Sequence, residues 1–168
     1  MMNSRDCCTG RERVNLYMRD NKEKEINDVL QDIKRNETVQ KMKKYLQHGR
    51  ITTYEHCEAV VDLSYEINRK LHLHANVDTL LKGAMLHDFY LYDWHKKGDG
   101  THRFHGFRHA EKACRNAAAY FDVDENVRHV IRCHMWPLNP ERLPRSREAW
   151  IVCIADKCVS LHETIFRR

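Results

Sequence analysis

His87 and Asp88 stand side by side at the end of the apolar run Leu80-Leu81-Lys82-Gly83-Ala84-Met85-Leu86. An imidazole and a carboxylate thus close a segment whose other residues belong in a core. Burying such a pair is costly unless each member is paired or bound to a metal. Partners stand elsewhere in the chain, because His56, His109, His134 and Asp156 each lie in a segment with the same apolar context. Imidazoles and carboxylates together bind divalent transition metals, so metal-assisted chemistry is what this set could perform.

Helical spacing is what turns these residues inward. Val60, Leu63 and Ile67 follow His56 at i+4, i+7 and i+11, which places the imidazole on an apolar stripe. His87 shares a stripe with Leu80 and Ala84, and Asp88 with Leu81, Ala84 and Met85. His134 follows Val127, Val130 and Ile131; Asp156 lies between Val152 and Val159; His109 is followed by Ala113 and Ala117. Each of these alone reads as an ordinary buried polar group, a histidine bonded to a carbonyl or an aspartate capping a helix. Jointly they point inward from several helices, with no well-placed basic residue to neutralise two buried carboxylates. That is the pattern of a metal centre inside a helical bundle.

The elements that carry them read as follows. A first helix spans residues 26–46, with a break near Asn36, and ends at His48-Gly49, where glycine takes the left-handed cap and His48 caps the helix. Thr52 and Glu55 form a capping box that opens a second helix reaching about residue 71. A third starts near Val77 and runs to the His-Asp pair, a fourth spans residues 109–121, and a fifth spans 124–135 before Trp136-Pro137 stops it. The sixth covers residues 146–164. No segment alternates long enough for a strand, and the spacing predicts an all-α, single-domain bundle over residues 26–168. Residues 1–25 read as a polar N-terminal extension, a tail or a peripheral helix, and residues 89–108 as a long aromatic and basic loop over the centre. His72, His74, His102, His129 and His162 read as bystanders, and Tyr92, Trp94 and Trp136 as aromatics that seal a core.

Composition narrows the function classes. At 168 residues, 42% hydrophobic and 32% charged, the chain has the size of one domain with a real core. No apolar run long enough to span a membrane and no signal-peptide pattern is present, and the cysteines form no C-x-x-C pair, so a reduced, cytoplasmic setting without membrane contact is expected. The net charge of +5 is modest and scattered. It suits an anionic small molecule and argues against nucleic acid.

The order His56, then His87-Asp88, then Asp156 on separate helices resembles the HD-domain superfamily of metal-dependent phosphohydrolases. With His109 and His134 added, the set is similar to the six-ligand branch that includes the HD-GYP phosphodiesterases and the bacterial HD-type dinucleoside polyphosphate hydrolases. His109-Ala110-Glu111-Lys112-Ala113, Ile131-Arg132-Cys133-His134 and Ile154-Ala155-Asp156-Lys157 carry the likeness, which covers about residues 52–161. The resemblance implies that His56, His87, Asp88 and Asp156 hold one ion, that His109 and His134 help hold a second, and that Asp88 bridges them as the catalytic carboxylate. One or two ions of iron, manganese, nickel, cobalt or zinc suit these donors better than magnesium. The implied reaction is attack of a metal-held hydroxide on a phosphate ester or anhydride in a small phosphorylated substrate, a nucleotide by expectation.

Two departures qualify the likeness. Relatives often place a lysine three residues after the His-Asp pair, whereas Phe89-Tyr90-Leu91 follow here, and no GYP signature occurs. Cyclic dinucleotide cleavage is therefore not expected. The phosphate partners are expected in the loop, among Lys96, Lys97, Arg103, His105 and Arg108, with Lys96, His105 and Arg108 as the substrate-binding candidates. Two other classes share the ligand set: di-iron oxygenases of the HD type and non-catalytic metal-binding regulators.

Overall fold

The computed structural model describes residues 10–95 and 105–166, with side chains from residue 16 onward. Helices dominate: α1 (Gly10–Arg35), α2 (Glu37–Gln40), α3 (Thr53–Lys70), α4 (Val77–Leu86), α5 (His105–Tyr120), α6 (Glu125–Cys133) and α7 (Arg147–Phe166). The fold is all-α, as the spacing predicts. Most helices start where the chain offers an acceptor for the orphan N–H groups of the first turn. Thr52 and Glu55 form the full capping box of α3, Asn76 accepts from Thr79 N at 2.9 Å, and Asp124 accepts from Val127 N at 2.8 Å.

The expected helix over residues 26–46 is not continuous. It breaks at Asn36, whose side chain accepts from Thr38 N at 2.8 Å and so caps the one-turn α2. A 3-10 turn follows at Lys41–Lys44, and then the chain becomes extended because Thr53 N donates to Tyr45 O at 2.8 Å. The result is a two-stranded hairpin, β1 (Leu46–His48) paired antiparallel with β2 (Ile51–Thr52). Gly49 does take a left-handed conformation (φ 60), but it serves the hairpin turn rather than a helix cap, and His48 lies in a strand. This hairpin overrides the helical reading because tertiary hydrogen bonds outweigh helix propensity, which is a small term even in a segment rich in Lys, Met and Leu.

α4 is the central helix, touching α1, α3, α5, α6 and α7. Leu80, Leu81, Ala84, Met85 and Leu86 on it are fully buried and pack with Leu30, Val60, Ile131 and Val152 of its neighbours. α1 runs unbroken across residues 25 and 26, and Lys22 pairs with Asp62 (3.2 Å) and Glu66 (3.0 Å) on α3, so the helix lies against the bundle on both sides of that position. The described cysteines are free thiols. No helix among the described residues is long and apolar enough to cross a membrane.

Gly83 and Val130 set how closely α4 and α6 approach. A Cβ at residue 83 would lie 2.5 Å from Val130 Cγ1, far inside van der Waals contact. The glycine is therefore the contact point of the two helices whose ends carry His87 and His134.

Candidate metal centre

α4 and α6 end in the same way. His87 is the C-cap of α4 and His134 the C-cap of α6, and each ring donates its Nδ1–H to the carbonyl three residues back, Ala84 O and Ile131 O, both at 2.8 Å. His109, in the second turn of α5, donates Nδ1–H to His105 O at 2.8 Å. His56 on α3 uses a carboxylate instead, with Nδ1 2.9 Å from Glu163 Oε2 on α7. A histidine whose Nδ1–H is fixed by an outer acceptor presents its Nε2 lone pair to an ion, and these four rings do so toward one point.

Asp88 occupies that point. Its Oδ2 lies 3.4 Å from His87 Nε2 and 3.9 Å from His56 Nε2; its Oδ1 lies 3.3 Å from His109 Nε2 and 3.6 Å from His134 Nε2. Asp156 Oδ1 completes the first side, 3.2 Å from His56 Nε2 and 3.8 Å from His87 Nε2. His56, His87 and His134 are fully buried, and Asp88, His109 and Asp156 nearly so.

Three features say that these donors fit a metal. His87 Nε2 and Asp88 Oδ1 are buried with no hydrogen-bond partner, an arrangement that is rare without a missing ion or water. His109 Nε2 and His134 Nε2 face each other at 2.9 Å although both rings spend their Nδ1–H on carbonyls, so two lone pairs oppose unless a proton or cation lies at them. Finally, two helices direct their C-terminal, partially negative ends at the cluster, which favours a cation. The sets His56, His87, Asp156 and His87, Asp88, His134 each bring their ligand atoms within 4.8 Å of one another.

The electrostatics follow from the packing. Burial alone would lower His56, yet Asp156 and Glu163 hold it up to about 10. His87 stands well above its ordinary value against the same burial because Asp88 is beside it. Burial would raise both carboxyls, but His87 and His109 hold Asp88, and His56 and His87 hold Asp156, well below the usual range. His134 is pushed down to about 3 by burial and by His87 and His109. Without an ion, protonated imidazoles neutralise the two carboxylates, and a bound metal would take the place of those protons.

Outer contacts fix Asp88. Gln47 Nε2, delivered by β1, donates to Asp88 Oδ2 at 2.6 Å, and Tyr90 OH donates to Gln47 Oε1. Thr53 Oγ1 lies 3.2 Å from the Tyr90 oxygen. The aromatic that follows the His-Asp pair therefore acts on Asp88 through Gln47. A cavity of about 580 Å³ opens over the centre. The ligand candidates Asp88, His109, His134 and Asp156 line it, together with the polar Gln47, His48, Lys157 and Ser160 and the largely apolar Trp94, Met135, Pro137 and Leu138.

Of the expected substrate residues, His105 lines this cavity, stacked between Trp94 (5.0 Å) and His109 (4.6 Å), with Nδ1 2.8 Å from Tyr92 OH. Burial, and then His109, push its imidazole down to about 4. Arg108 is on the exposed face of α5 and is not among the cavity-lining residues. Lys96, Lys97 and Arg103 lie outside the described residues. Trp94 lines the cavity, while Trp136 packs edge-on against Trp150 at 5.0 Å. Sequence reasoning missed Gln47, Glu163 and Lys157. Glu163 had a signal, since it lies seven residues after Asp156 on the same helical stripe; Gln47 had none, because the hairpin that carries it is too short to show a period.

No curated protein and no solved structure gives a match to this chain. The HD domain family does match, over residues 53–161, a span that contains His56, His87, Asp88, His109, His134 and Asp156. HD domains are metal-dependent hydrolase-type domains, and the buried His/Asp cluster fits that chemistry. With most of its length matched and its histidines and aspartates converging inside a helical bundle, the chain belongs to the HD domain family.

Proposed function

We propose that the protein is a metal-dependent phosphohydrolase acting on a phosphate ester or anhydride of a small molecule of nucleotide size. Two ions would be held, one by His56, His87, Asp88 and Asp156 and one by His109, His134 and Asp88. The observation that carries this reading is the split of Asp88, whose two oxygens face two separate histidine sets in the lining of an open cavity. Bound divalent transition metals would supply an acidified water and a charge sink for phosphoryl oxygens.

The chain's own residues do the rest. Asp88, which lines the cavity and whose Oδ1 makes no hydrogen bond, is the acceptor that orients an attacking water. Gln47 holds the other oxygen and so fixes the plane of the carboxylate. The carbonyls of Ala84, His105 and Ile131 keep three rings aimed inward, so the donors need no rearrangement.

A screen of phosphate monoesters, nucleotides and dinucleoside polyphosphates against protein loaded in turn with iron, manganese, nickel, cobalt and zinc tests the reading. Phosphate release that depends on the ion and disappears in Asp88→Ala is expected. Oxygen uptake by the reduced iron form, coupled to substrate loss without phosphate release, would overturn it in favour of an oxygenase. An ion that stabilises the fold with no turnover across the panel would overturn it in favour of a regulator.

A further inference from the structure

The cation expected after the His-Asp pair is absent from that place, and Arg108 is not among the residues lining the cavity, so among the described residues a phosphate partner has to come from elsewhere. Among the described residues that line the cavity, Lys157 is the one with a permanent positive charge. It follows Asp156 on α7, and its position is set from two sides. Nζ donates to His134 O at 2.8 Å and to Cys153 O at 3.3 Å, which ties the ammonium to the end of α6 beside the centre. An ammonium carries three donors: these two carbonyls take two, and the third meets Cys153 Sγ at 3.4 Å, a weak acceptor that a phosphoryl oxygen would displace.

The neighbouring carboxylate offers only a long ion pair. Asp156 Oδ2 is 3.8 Å away, and Asp156 Oδ1 already faces His56 and accepts from Ser160 Oγ at 3.3 Å. The Lys157 side chain remains 43% exposed, enough for a ligand in the cavity to reach it. The lining residues Trp94, Gly106, Met135, Pro137 and Leu138 carry no charge. An anion entering above Asp88 therefore meets its compensating charge on the α7 side.

We infer that Lys157 is the phosphate-binding cation of this cavity, gripping the phosphoryl group of the substrate while the organic part lies against the apolar lining residues Trp94, Met135, Pro137 and Leu138. The inference rests on the phosphohydrolase reading for the identity of the anion. Its competitor is a purely structural lysine that caps α6 through His134 O.

Orthophosphate binding to the metal-loaded protein, followed by calorimetry, separates the two without requiring turnover. Lys157→Gln should keep its metal and weaken orthophosphate binding about 10- to 100-fold, the loss expected for one charge-assisted hydrogen bond. It should also raise KM for 4-nitrophenyl phosphate more than it lowers kcat, and Lys157→Arg should recover most of the binding. An unchanged orthophosphate affinity in metal-replete Lys157→Gln overturns the inference. Should that variant lose its metal, labelling of the wild-type protein decides instead. Saturating orthophosphate should shield Lys157 from an amine-reactive reagent while exposed Lys70 reacts as before, and equal labelling with and without phosphate overturns the inference. Failure of the enzymatic reading looks different: orthophosphate would still bind through Lys157 while no ester in the panel is hydrolysed.

Discussion

The two sides of Asp88 are built from the same residue types and are placed differently. On one side His56 and His87 are sealed from the cavity, and His56 is braced by two carboxylates, Asp156 at one ring nitrogen and Glu163 at the other. On the other side His109 and His134 line the cavity, and their Nδ1–H groups rest on backbone carbonyls rather than carboxylates. The sealed side joins α3, α4 and α7 through charge, so it is tied to the integrity of the fold. The open side joins α5 and α6 and meets whatever enters. Similar donors therefore divide into an anchoring set and a cavity-facing set, with Asp88 belonging to both.

The largest expected effect comes from the shared residue. Asp88→Ala should abolish activity and lower metal affinity by more than the about 10–100-fold that follows loss of an outer partner, since both sets lose a ligand. Metal per chain, measured by mass spectrometry after dialysis, checks this; a variant that retains a full complement on either side would break the comparison at its centre. Next come paired variants of the two sides. His56→Ala strands Asp156 and Glu163 as buried carboxylates and should destabilise the fold by about 3–5 kcal/mol as well as emptying the sealed side. His134→Ala should stop turnover and lose the open-side ion with a smaller fall in Tm. Equal metal loss and equal Tm shifts in the two variants would show that the sides are not distinct.

How much of this was legible follows the same division. His56, His87, Asp88, His134 and Asp156 announce themselves because each shares a helical stripe with apolar residues, and a period of 3.6 survives in sequence whatever the helices later do. Their convergence also needed the family likeness, since periodicity says which way a residue faces and not which helix it meets. The hairpin was hidden: five residues with two paired positions show no alternation, and so Gln47 was invisible as a partner of Asp88. The segment after Asp88 misled in another way. Phe89 and Tyr90 read as the start of a covering loop, but both are fully buried, Phe89 against Tyr120 and Phe121 and Tyr90 against Gln47 and Thr53. Aromatic residues of that kind look alike in a loop and in a core when no period surrounds them.

Gln47 offers a finer probe of Asp88. Gln47→Ala removes the donor on Oδ2 and should lower metal affinity about 10–100-fold while leaving every ligand in place. Tyr90→Phe acts one bond further out and should cost about 1 kcal/mol of stability with a smaller change in metal affinity. Isothermal titration of the metal-free variants measures both. A Tyr90→Phe effect as large as that of Gln47→Ala would mean that the tyrosine acts on the centre directly and not through the amide.

The change least direct in its effect on the ions tests the spacing between the two sides rather than any ligand. Gly83 lets α4, which carries His87 and Asp88, lie against Val130 of α6, which carries His134, and the two terminal rings meet edge-on at 4.9 Å. Gly83→Ala must push Val130 away, because the new Cβ would sit 2.5 Å from a β-branched side chain with little freedom to turn aside. Overpacking of this kind is worth about 1–3 kcal/mol, partly offset by the helix preference of alanine. The displacement separates α6 from α4 and leaves the α3–α4–α7 contacts untouched, so the open-side ion should weaken before the sealed one. Adding Val130→Ala restores room at the same contact and should recover both Tm and the open-side ion. If the double variant regains stability but still binds one ion, helix spacing is not what holds the open side in register with Asp88.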